Sequence, residues 1–241
     1  MKKFVTEDSF WNLFPGASLG VVVAKGMRSA DQVSPEDATE IEQLLARANA
    51  QAERHLESPT LSENAPVRVW RQAYQRFKTK RGARCSIENL LKRVLKGNPV
   101  GSISPAVDIY NAISLKYALP LGGEDIDAFQ GDLRLLITQG GDGFIPLGEN
   151  AENDPTLPGE LCYVDDAGAV CRCWNWRDGE RTALSDNTEN AFLIIENVDP
   201  ARHKDLEAAV EELSALVQHN LGATVTTHAI VSKENPSVTL A

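Results

Sequence analysis

The architecture depends most on residues 103–121, which read ISPAVDIYNAISLKYALPL. The Ser104-Pro105 pair is a helix start signal, because serine caps the first turn and proline already has the φ angle that a first turn needs. Apolar residues then recur at helical spacing as far as Tyr117. The segment predicts a helix that begins at residue 105, ends before Leu119-Pro120 and is followed by a turn at Gly122-Gly123.

C-terminal to this segment, the apolar periodicity shortens from that of a helix to that of strands. Strand Leu133–Ile137 comes first. A three-stranded meander is predicted next, with strands at 161–164, 169–177 and 180–184 and turns at 165–168 and 178–179. A strand at 192–196, a helix from Asp199-Pro200 to about His219 and a strand at 224–232 then predict a β-α-β unit.

N-terminal to the segment, the pattern predicts a buried strand at 18–24 and a helix from Pro35 to about Leu56. Two helices rich in basic residues follow, at 67–77 and 87–96. No internal repeat is present. The economical architecture is therefore one α+β domain over residues 1–241, a mixed β-sheet with interleaved helices. Residues 1–98 supply the N-terminal strand and the basic helices, and residues 99–241 form the pocket.

The composition places the chain among globular proteins. It has 241 residues, of which 42% are apolar and 24% charged, so disorder, collagen and coiled coil are excluded for the whole chain. No run of about 18 apolar residues occurs, which excludes a membrane span. Glu7 and Asp8 follow the first residues without an apolar signal core, so we expect a cytoplasmic protein with reduced cysteines.

Charge is distributed unevenly along the chain, whose formal net charge is −10. Residues 66–96, the basic segment, contain ten basic residues and one acid, a local charge of +9 against −19 for the remainder. Such a patch attracts phosphate while the remaining surface repels it. The RNA-binding candidates are Arg68, Arg71, Arg76, Lys78, Lys80, Arg81 and Arg84. The alternative is two solvated helix faces whose cations pair with acids elsewhere.

Several kinds of site are excluded by missing motifs. The sequence has no phosphate-binding G-x-x-x-x-G-K, no dinucleotide-binding G-x-G-x-x-G and no G-x-S-x-G. The four histidines are not in metal-ligand spacing with one another. Cys162, Cys171 and Cys173 are interpreted as small packing residues rather than as ligands of a soft metal, since no fourth ligand is evident. We therefore expect no metal and no cofactor.

Trp and Arg side chains interleave in residues 171–177, CRCWNWR. On one strand, their alternation would place flat aromatic and guanidinium surfaces side by side, as a stacked base or aromatic side chain requires. The alternative is that Trp174 and Trp176 belong to the core on one face while the arginines are solvated on the other.

A resemblance to a known family is carried by Ile103, Val107, Asp108, Asn111, Leu115 and Pro120-Leu121. This run resembles the I-x-x-x-V-D-x-x-N-x-x-x-L-x-x-x-x-P-L pattern of the B-three/B-four tRNA-binding and editing domain of the phenylalanyl-tRNA synthetase beta subunit. Thr188, Leu193 and Glu196 resemble the later T-x-x-x-x-L-x-x-E strand of that family. The similarity spans about residues 101–196 and is closest to free-standing versions of the domain.

The resemblance implies a pocket that accepts the 3′ end of a mischarged aminoacyl-tRNA and hydrolyses its ester without a metal or a covalent nucleophile. In that family the strand-end glutamate, here Glu196, binds a polar group of the wrong amino acid; a solvated or capping carboxylate is the alternative. Two pocket positions depart from the family pattern, since its His is Gly122 here and its Thr is Tyr110.

The resulting substrate-binding candidates are Asp108, Asn111, Gly122, Gly123, Trp174 and Glu196. Asp108 and Asn111 share a helix face, and the alternative is that they hold the Gly122-Gly123 loop by hydrogen bonds. Two functions stay open. The first is a free-standing aminoacyl-tRNA deacylase, and the second is a non-catalytic module that binds tRNA or a free amino acid. The expected partner is tRNA, with no DNA and no membrane.

Overall fold

The computed structural model describes residues 1–148 and 151–240, and the elements below belong to these ranges. The α-helices are α1 (Asp8–Leu13), α2 (Pro35–Ala52), α3 (Ala65–Ala73), α4 (Ser86–Leu95), α5 (Pro105–Tyr117) and α6 (His203–Leu221). The strands are β1 (Lys3–Thr6), β2 (Ser18–Lys25), β3 (Leu121–Asp125), β4 (Leu133–Ile137), β5 (Leu161–Asp165), β6 (Gly168–Arg172), β7 (Arg177–Asp178), β8 (Ala191–Asn197), β9 (Thr224–Val231) and β10 (Ser237–Thr239).

The strands form two sheets, which confirms the α+β class and divides the β structure between two layers. One sheet has the order β10-β1-β4-β5-β6-β7 and is mixed, because β1 and β4 pair in parallel. The other has the order β3-β8-β2-β9 and is antiparallel throughout. β8 and β9 both run antiparallel to β2, so the predicted β-α-β unit forms with β2 between its strands.

The four-stranded sheet is buried on both faces, which explains why β2 and β8 are continuously apolar. On one face, Phe192 and Ile194 of β8 belong to a core cluster shared with the six-stranded sheet. The Phe4 and Phe192 rings of that cluster have centroids 5.1 Å apart. On the other face, Leu193 and Ile195 pack in a second cluster with residues of α5 and α6.

The structure confirms the helix predicted from residue 105 and the strand at 133–137. Ala118 in the left-handed conformation (φ 47°) terminates α5. The predicted turn at Gly122-Gly123 is wrong, because both glycines lie in β3 and pair with Ile194 and Leu193 of β8. Helix α3 ends at Ala73 rather than at Phe77, and α2 ends at Ala52 before a short 3₁₀ turn. The short elements β1, α1 and β10 have no counterpart in the sequence prediction.

The predicted meander is also corrected. Its second strand, 169–177, breaks after Arg172 into a tight turn at 173–176, in which Cys173 and Trp174 have φ of 47° and 66°. Such angles take the chain out of the extended conformation, and this allows the polypeptide to reverse. Trp174 and Trp176 therefore lie in a turn and do not alternate with arginines along a strand. Residues 180–184 do not form the predicted third strand, and Cys171 of β6 pairs with Tyr163 of β5.

The helices of the described ranges include none with both the length and the apolar character needed to cross a membrane.

Candidate functional site

A cavity of about 70 Å³ opens between the two sheets. Its walls are β3 and β8 of the four-stranded sheet, and β5, β6 and the turn at 173–176 on the opposite side. Four of the predicted site residues line it, namely Gly122, Gly123, Trp174 and Glu196. Because one buried water needs a cavity of roughly 10–15 Å³, this cavity has room for a small polar or apolar group.

The pairing of β3 with β8 decides which side chains face the cavity. Gly122 pairs with Ile194 and therefore shares its face, and a Cβ added at Gly122 would have no atom within 4 Å. Gly123 faces the opposite way, where a Cβ would approach side-chain atoms of Leu184 and Leu193 to 2.8 Å. Gly122 thus leaves space in the cavity, whereas Gly123 contributes its backbone and is required by packing.

Glu196 lies at one end of the cavity and is 1% exposed. Its Oε1 accepts a hydrogen bond from the Tyr163 hydroxyl at 2.5 Å, and its Oε2 accepts one from Asn175 Nδ2. Burial raises the pKa of Glu196 to about 8, although the bonds from Tyr163 and Asn175 act against this rise. The side chain is therefore neither solvated nor a helix cap, and in its protonated form it can still accept and donate a hydrogen bond.

The turn at 173–176 positions the donors around this carboxylate. Asn175 Oδ1 accepts a hydrogen bond of 2.8 Å from the Tyr74 hydroxyl, which directs the amide nitrogen toward Glu196. Trp174 is fully buried, with ring centroids 4.8 Å from those of both Phe14 and Trp70. These contacts hold the turn at 173–176 in place, because aromatic rings packed against one another contribute strongly to core stability.

Two further carboxyl groups lie at the other end of the cavity. Glu124 is 5% exposed and shares the face of β3 that carries Gly122, while Asp178 belongs to β7. Burial raises the pKa of Glu124 well above its usual value, and the nearby Asp178 raises it further. Burial likewise raises the pKa of Asp178. The cavity therefore has a carboxyl group at each end and an open glycine between them.

Three polar atoms that line the cavity are buried without a hydrogen-bond partner in the described residues. They are Ser86 Oγ, Glu124 Oε2 and Trp174 Nε1. The Trp174 side chain nevertheless lies close enough to Glu196 to lower the pKa of that carboxyl group, so Ser86 Oγ and Glu124 Oε2 are the atoms left for a ligand or water. A complementary ligand carries both kinds of hydrogen-bonding group.

Asp108 and Asn111 do not line this cavity. Asp108, in the first turn of α5, accepts hydrogen bonds from Ser102 Oγ and from the Ile103 backbone N–H, the latter at 2.8 Å. It therefore holds the chain that enters α5, and not the Gly122-Gly123 segment as the alternative interpretation proposed. Asn111 is buried on the same helix.

The basic segment forms α3, the loop that follows it and α4, and several of its cations are engaged. Arg71 donates two hydrogen bonds to the buried Glu88, and Arg84 lies 3.6 Å from the same carboxylate. Lys80 pairs with Asp154. Arg76 lies over the Phe14 ring and donates to the Leu13 carbonyl. Arg81 is exposed and makes no side-chain bond to any described residue.

A groove of about 280 Å³ is lined by residues of this segment. Arg71, Thr79 and Arg84 line the groove together with Cys85, whose neighbour Ser86 lines the cavity. Tyr74 also lines the groove, and its hydroxyl is the group that holds Asn175. The groove, with its polar and cationic side chains, is therefore linked to the cavity wall by the Cys85-Ser86 step in the chain and by the Tyr74–Asn175 hydrogen bond.

The cysteines are free and buried. Cys162 and Cys173 lie beside Glu160, with Sγ to carboxylate distances of 3.8 and 3.6 Å. Because Glu160 is already paired with Arg172, the thiols complete the packing of a buried ion pair. Elsewhere in the described ranges, Asp37, Glu40 and His219 bring three possible metal ligands together. There Arg28 pairs with Asp37 at 3.0 Å and His219 lies 3.4 Å from Glu40, so surface pairing explains this cluster.

Sequence reasoning missed four residues of the site: Tyr163, Asn175, Glu124 and Asp178. The position of Glu124 could have been found had β3 been recognised, because Gly122 and Glu124 are two residues apart and share a strand face. Tyr163 and Asn175 come from the opposite sheet. Their approach to Glu196 depends on how the sheets stack and on a turn with positive φ, for which the sequence has no local signal.

Comparison with known proteins gives a family match and several structural likenesses. The B3/4 domain family matches residues 69–222. An N-terminal fragment of the phenylalanyl-tRNA synthetase beta subunit from Pyrococcus horikoshii is similar in structure, with a TM-score of 0.47 and 11% sequence identity. The likeness covers 92% of this chain and 49% of that one, so the chain spans about half the length of the fragment. No curated protein matches the chain.

Proposed function

This chain belongs to the B3/4 domain family, and from this we propose that it binds the aminoacylated 3′ end of a tRNA and hydrolyses the ester of a mischarged amino acid in trans. The observation that carries the proposal is the cavity between the sheets, with the buried Glu196 at one end and unpaired polar atoms in its wall. The proposal treats residues 1–241 as one editing-like domain.

In the proposed complex, the amino-acid side chain enters beside Gly122 and contacts the apolar wall formed by Phe192 and Ile194. A hydroxyl group on that side chain donates to a free acceptor position of Glu196. Ser86 Oγ–H is a donor available to the ester carbonyl, and a donor placed where negative charge develops favours attack by water. No step needs a metal or a covalent enzyme intermediate.

A second function, a non-catalytic module that binds tRNA or a free amino acid, is favoured by the side chain missing at Gly122. The residues that line the cavity in the described ranges include no histidine. A general base is then left to the carboxyl groups or to bound water. Binding without turnover is the behaviour that this alternative expects.

The two functions are separated by a deacylation assay with a panel of mischarged tRNAs. Release of the amino acid from at least one of them, at a rate above spontaneous hydrolysis, supports the hydrolase. Saturable binding of the charged tRNA with no release supports the binding module. Absence of binding and release with every tRNA, together with absence of binding of every free amino acid, contradicts both.

We propose that the RNA backbone lies along the basic segment and the groove. Replacing Arg76, Lys80, Arg81 and Arg84 together by Gln should weaken tRNA binding and reduce the slope of log Kd against log salt by about one unit for each phosphate that the protein no longer neutralises. Filter binding at several salt concentrations measures both quantities.

The control for this variant removes four positive charges outside the basic segment, at Lys25, Arg47, Lys204 and Lys233. These side chains make no ion pair or side-chain hydrogen bond to described residues. The control should keep the wild-type salt slope, because it changes net charge equally without touching the groove. Equal losses of affinity in the two variants would show that only net charge matters and would contradict the proposed RNA path.

Glu196 should set the preference for hydroxylated amino acids. Replacing it by Gln keeps the side-chain volume and exchanges one carboxyl oxygen for an amide NH₂ group, and we expect the preference between amino acids that differ by one hydroxyl group to fall by about 1–3 kcal/mol. Kd values for matched pairs of charged tRNAs measure this.

Glu196→Ala provides the second variant, although it also leaves the Tyr163 hydroxyl and the Asn175 amide buried without their hydrogen-bond acceptor. The exposed Glu180, replaced by Gln, is the matched control. Unchanged discrimination in both Glu196 variants would make the carboxyl group purely structural.

A further inference from the structure

Glu124 is a buried acid whose carboxyl group is not fully hydrogen-bonded by the residues around it. Its Oε2 has no hydrogen-bond partner in the described part of the chain, and neither does the adjacent hydroxyl of the fully buried Thr182. A buried carboxyl oxygen left unpaired costs free energy on the order of 1–3 kcal/mol, so such an atom is retained only where something compensates. Among the described residues, the neighbouring Thr182 hydroxyl and the Arg181 guanidinium both act to lower the pKa of Glu124, but they do not offset the rise that burial and Asp178 cause.

The charges near Glu124 are mainly negative. Asp178 acts on it as a second carboxyl group, and the thiol of Cys171, which pairs with Asp178 across β6 and β7, lies near both acids. The cation that acts on Glu124 is Arg181. That guanidinium donates to both oxygens of Asp165, at 2.8 and 2.7 Å, so it is already paired.

The position of Glu124 relative to Glu196 defines the shape of a ligand. Glu124 pairs with Phe192, which is four residues from Glu196 on β8, so the two Cα positions are separated by about 13 Å along the strand. Both side chains lie on the face of the sheet that borders the cavity, with Gly122 between them. A ligand that meets both carboxyl groups is therefore polar at two ends and narrow in the middle.

We propose that the Glu124–Asp178 end of the cavity binds a primary ammonium group, which in an aminoacyl ligand is the α-amino group. An ammonium group has three N–H donors and no acceptor, which suits Glu124 Oε2, Asp178 and the Thr182 hydroxyl together. Placing a cation between two buried carboxyl groups restores the pairing that buried charges require. This inference rests on the proposed function for its aminoacyl ligand, but not for the ammonium chemistry itself.

The test uses amino-acid amides, which need neither RNA nor hydrolysis. L-tyrosinamide and L-threoninamide are each compared with their N-acetylated forms, which keep the side chain and lose the ammonium charge. Kd values come from NMR titration of the wild type, Glu124→Gln and Asp178→Asn. Glu180→Gln, which removes an exposed acid two residues from Asp178, is the control.

We expect the wild type and Glu180→Gln to bind at least one free amide tenfold or more tightly than its N-acetylated form. In Glu124→Gln this ratio should fall to about 1–2, and Asp178→Asn should lower it by a smaller factor. Equal binding of the two forms, an unchanged ratio in Glu124→Gln, or no binding of any amide would overturn the proposal. Deacylation of charged tRNA together with any of these results would leave the proposed function standing without an ammonium site.

Discussion

Replacing Glu160 by Ala should destabilise the fold by about 3–5 kcal/mol, the largest single effect that we expect. Glu160 and Arg172 are both completely buried and joined by three hydrogen bonds of 2.6–3.0 Å. Without the carboxylate, the guanidinium stays buried with only the half-buried Asp154 as an acidic partner. Arg172 ends β6 immediately before the turn that carries Trp174 and Asn175, so the loss should also disorder the cavity wall.

Urea unfolding monitored by circular dichroism measures this effect. The exposed pair of Glu7 and Arg134, which are 2.7 Å apart, is the control, and Glu7→Ala should cost less than about 1 kcal/mol. A loss below 1 kcal/mol for Glu160→Ala would contradict the interpretation of this pair as a structural anchor of the turn.

Folding stability should decrease as pH rises from about 4.5 to about 8, opposite to the usual behaviour of surface carboxylates. The pKa of Glu196 is raised to about 8 by burial, so in this window the folded state binds a proton that the unfolded state has released. The free energy of unfolding that Glu196 contributes is greatest below its pKa in the unfolded state. It is lost as pH rises toward and through its pKa in the folded state. At 1.36 kcal/mol per unit, the loss reaches about 5 kcal/mol.

Urea midpoints at pH 5, 6.5 and 8 test this linkage in wild type and in Glu196→Gln. The variant should lose most of the pH dependence, and part should remain because the pKa values of Glu124 and Asp178 are raised as well. Glu180→Gln should follow the wild type. Stability that increases between pH 5 and 8, or an identical slope in Glu196→Gln, would show that Glu196 is ionised in the fold at little cost.

Local chemistry in the sequence predicts the elements that it controls directly. Ser104-Pro105 marks the start of α5, and the apolar runs of β2 and β8 identify strands that are buried on both faces. The strand at Gly122-Gly123 was missed because two glycines favour a turn on their own, and only pairing with β8 makes them extended. Tertiary contacts there override local preference.

The sequence predicts only part of the candidate site, because only part of it depends on local sequence. Glu196 and Gly122 belong to local sequence patterns, whereas the hydrogen-bond partners of Glu196 are determined by how the two sheets stack. In the basic segment, the number of cationic residues overstates the positive charge that is free to bind phosphate. Arg71 and Arg84 form ion pairs with Glu88, the single acid of that segment, and so two of its cations are already paired.

The central claim is that the cavity holds the aminoacyl end of the ligand, and the Trp174 indole is its most direct reporter. The chain has four tryptophans, so a ¹H–¹⁵N spectrum shows four indole signals. The ligand is a 3′-aminoacylamino-3′-deoxyadenosine, whose amide link cannot be hydrolysed as an ester. We predict saturable shifts of the Trp174 indole and the Gly122 amide, while the Trp11 indole, bonded to Thr6 at 3.0 Å, stays unchanged. Shifts confined to other residues, or no saturable shift with any aminoacyl group, would contradict the account.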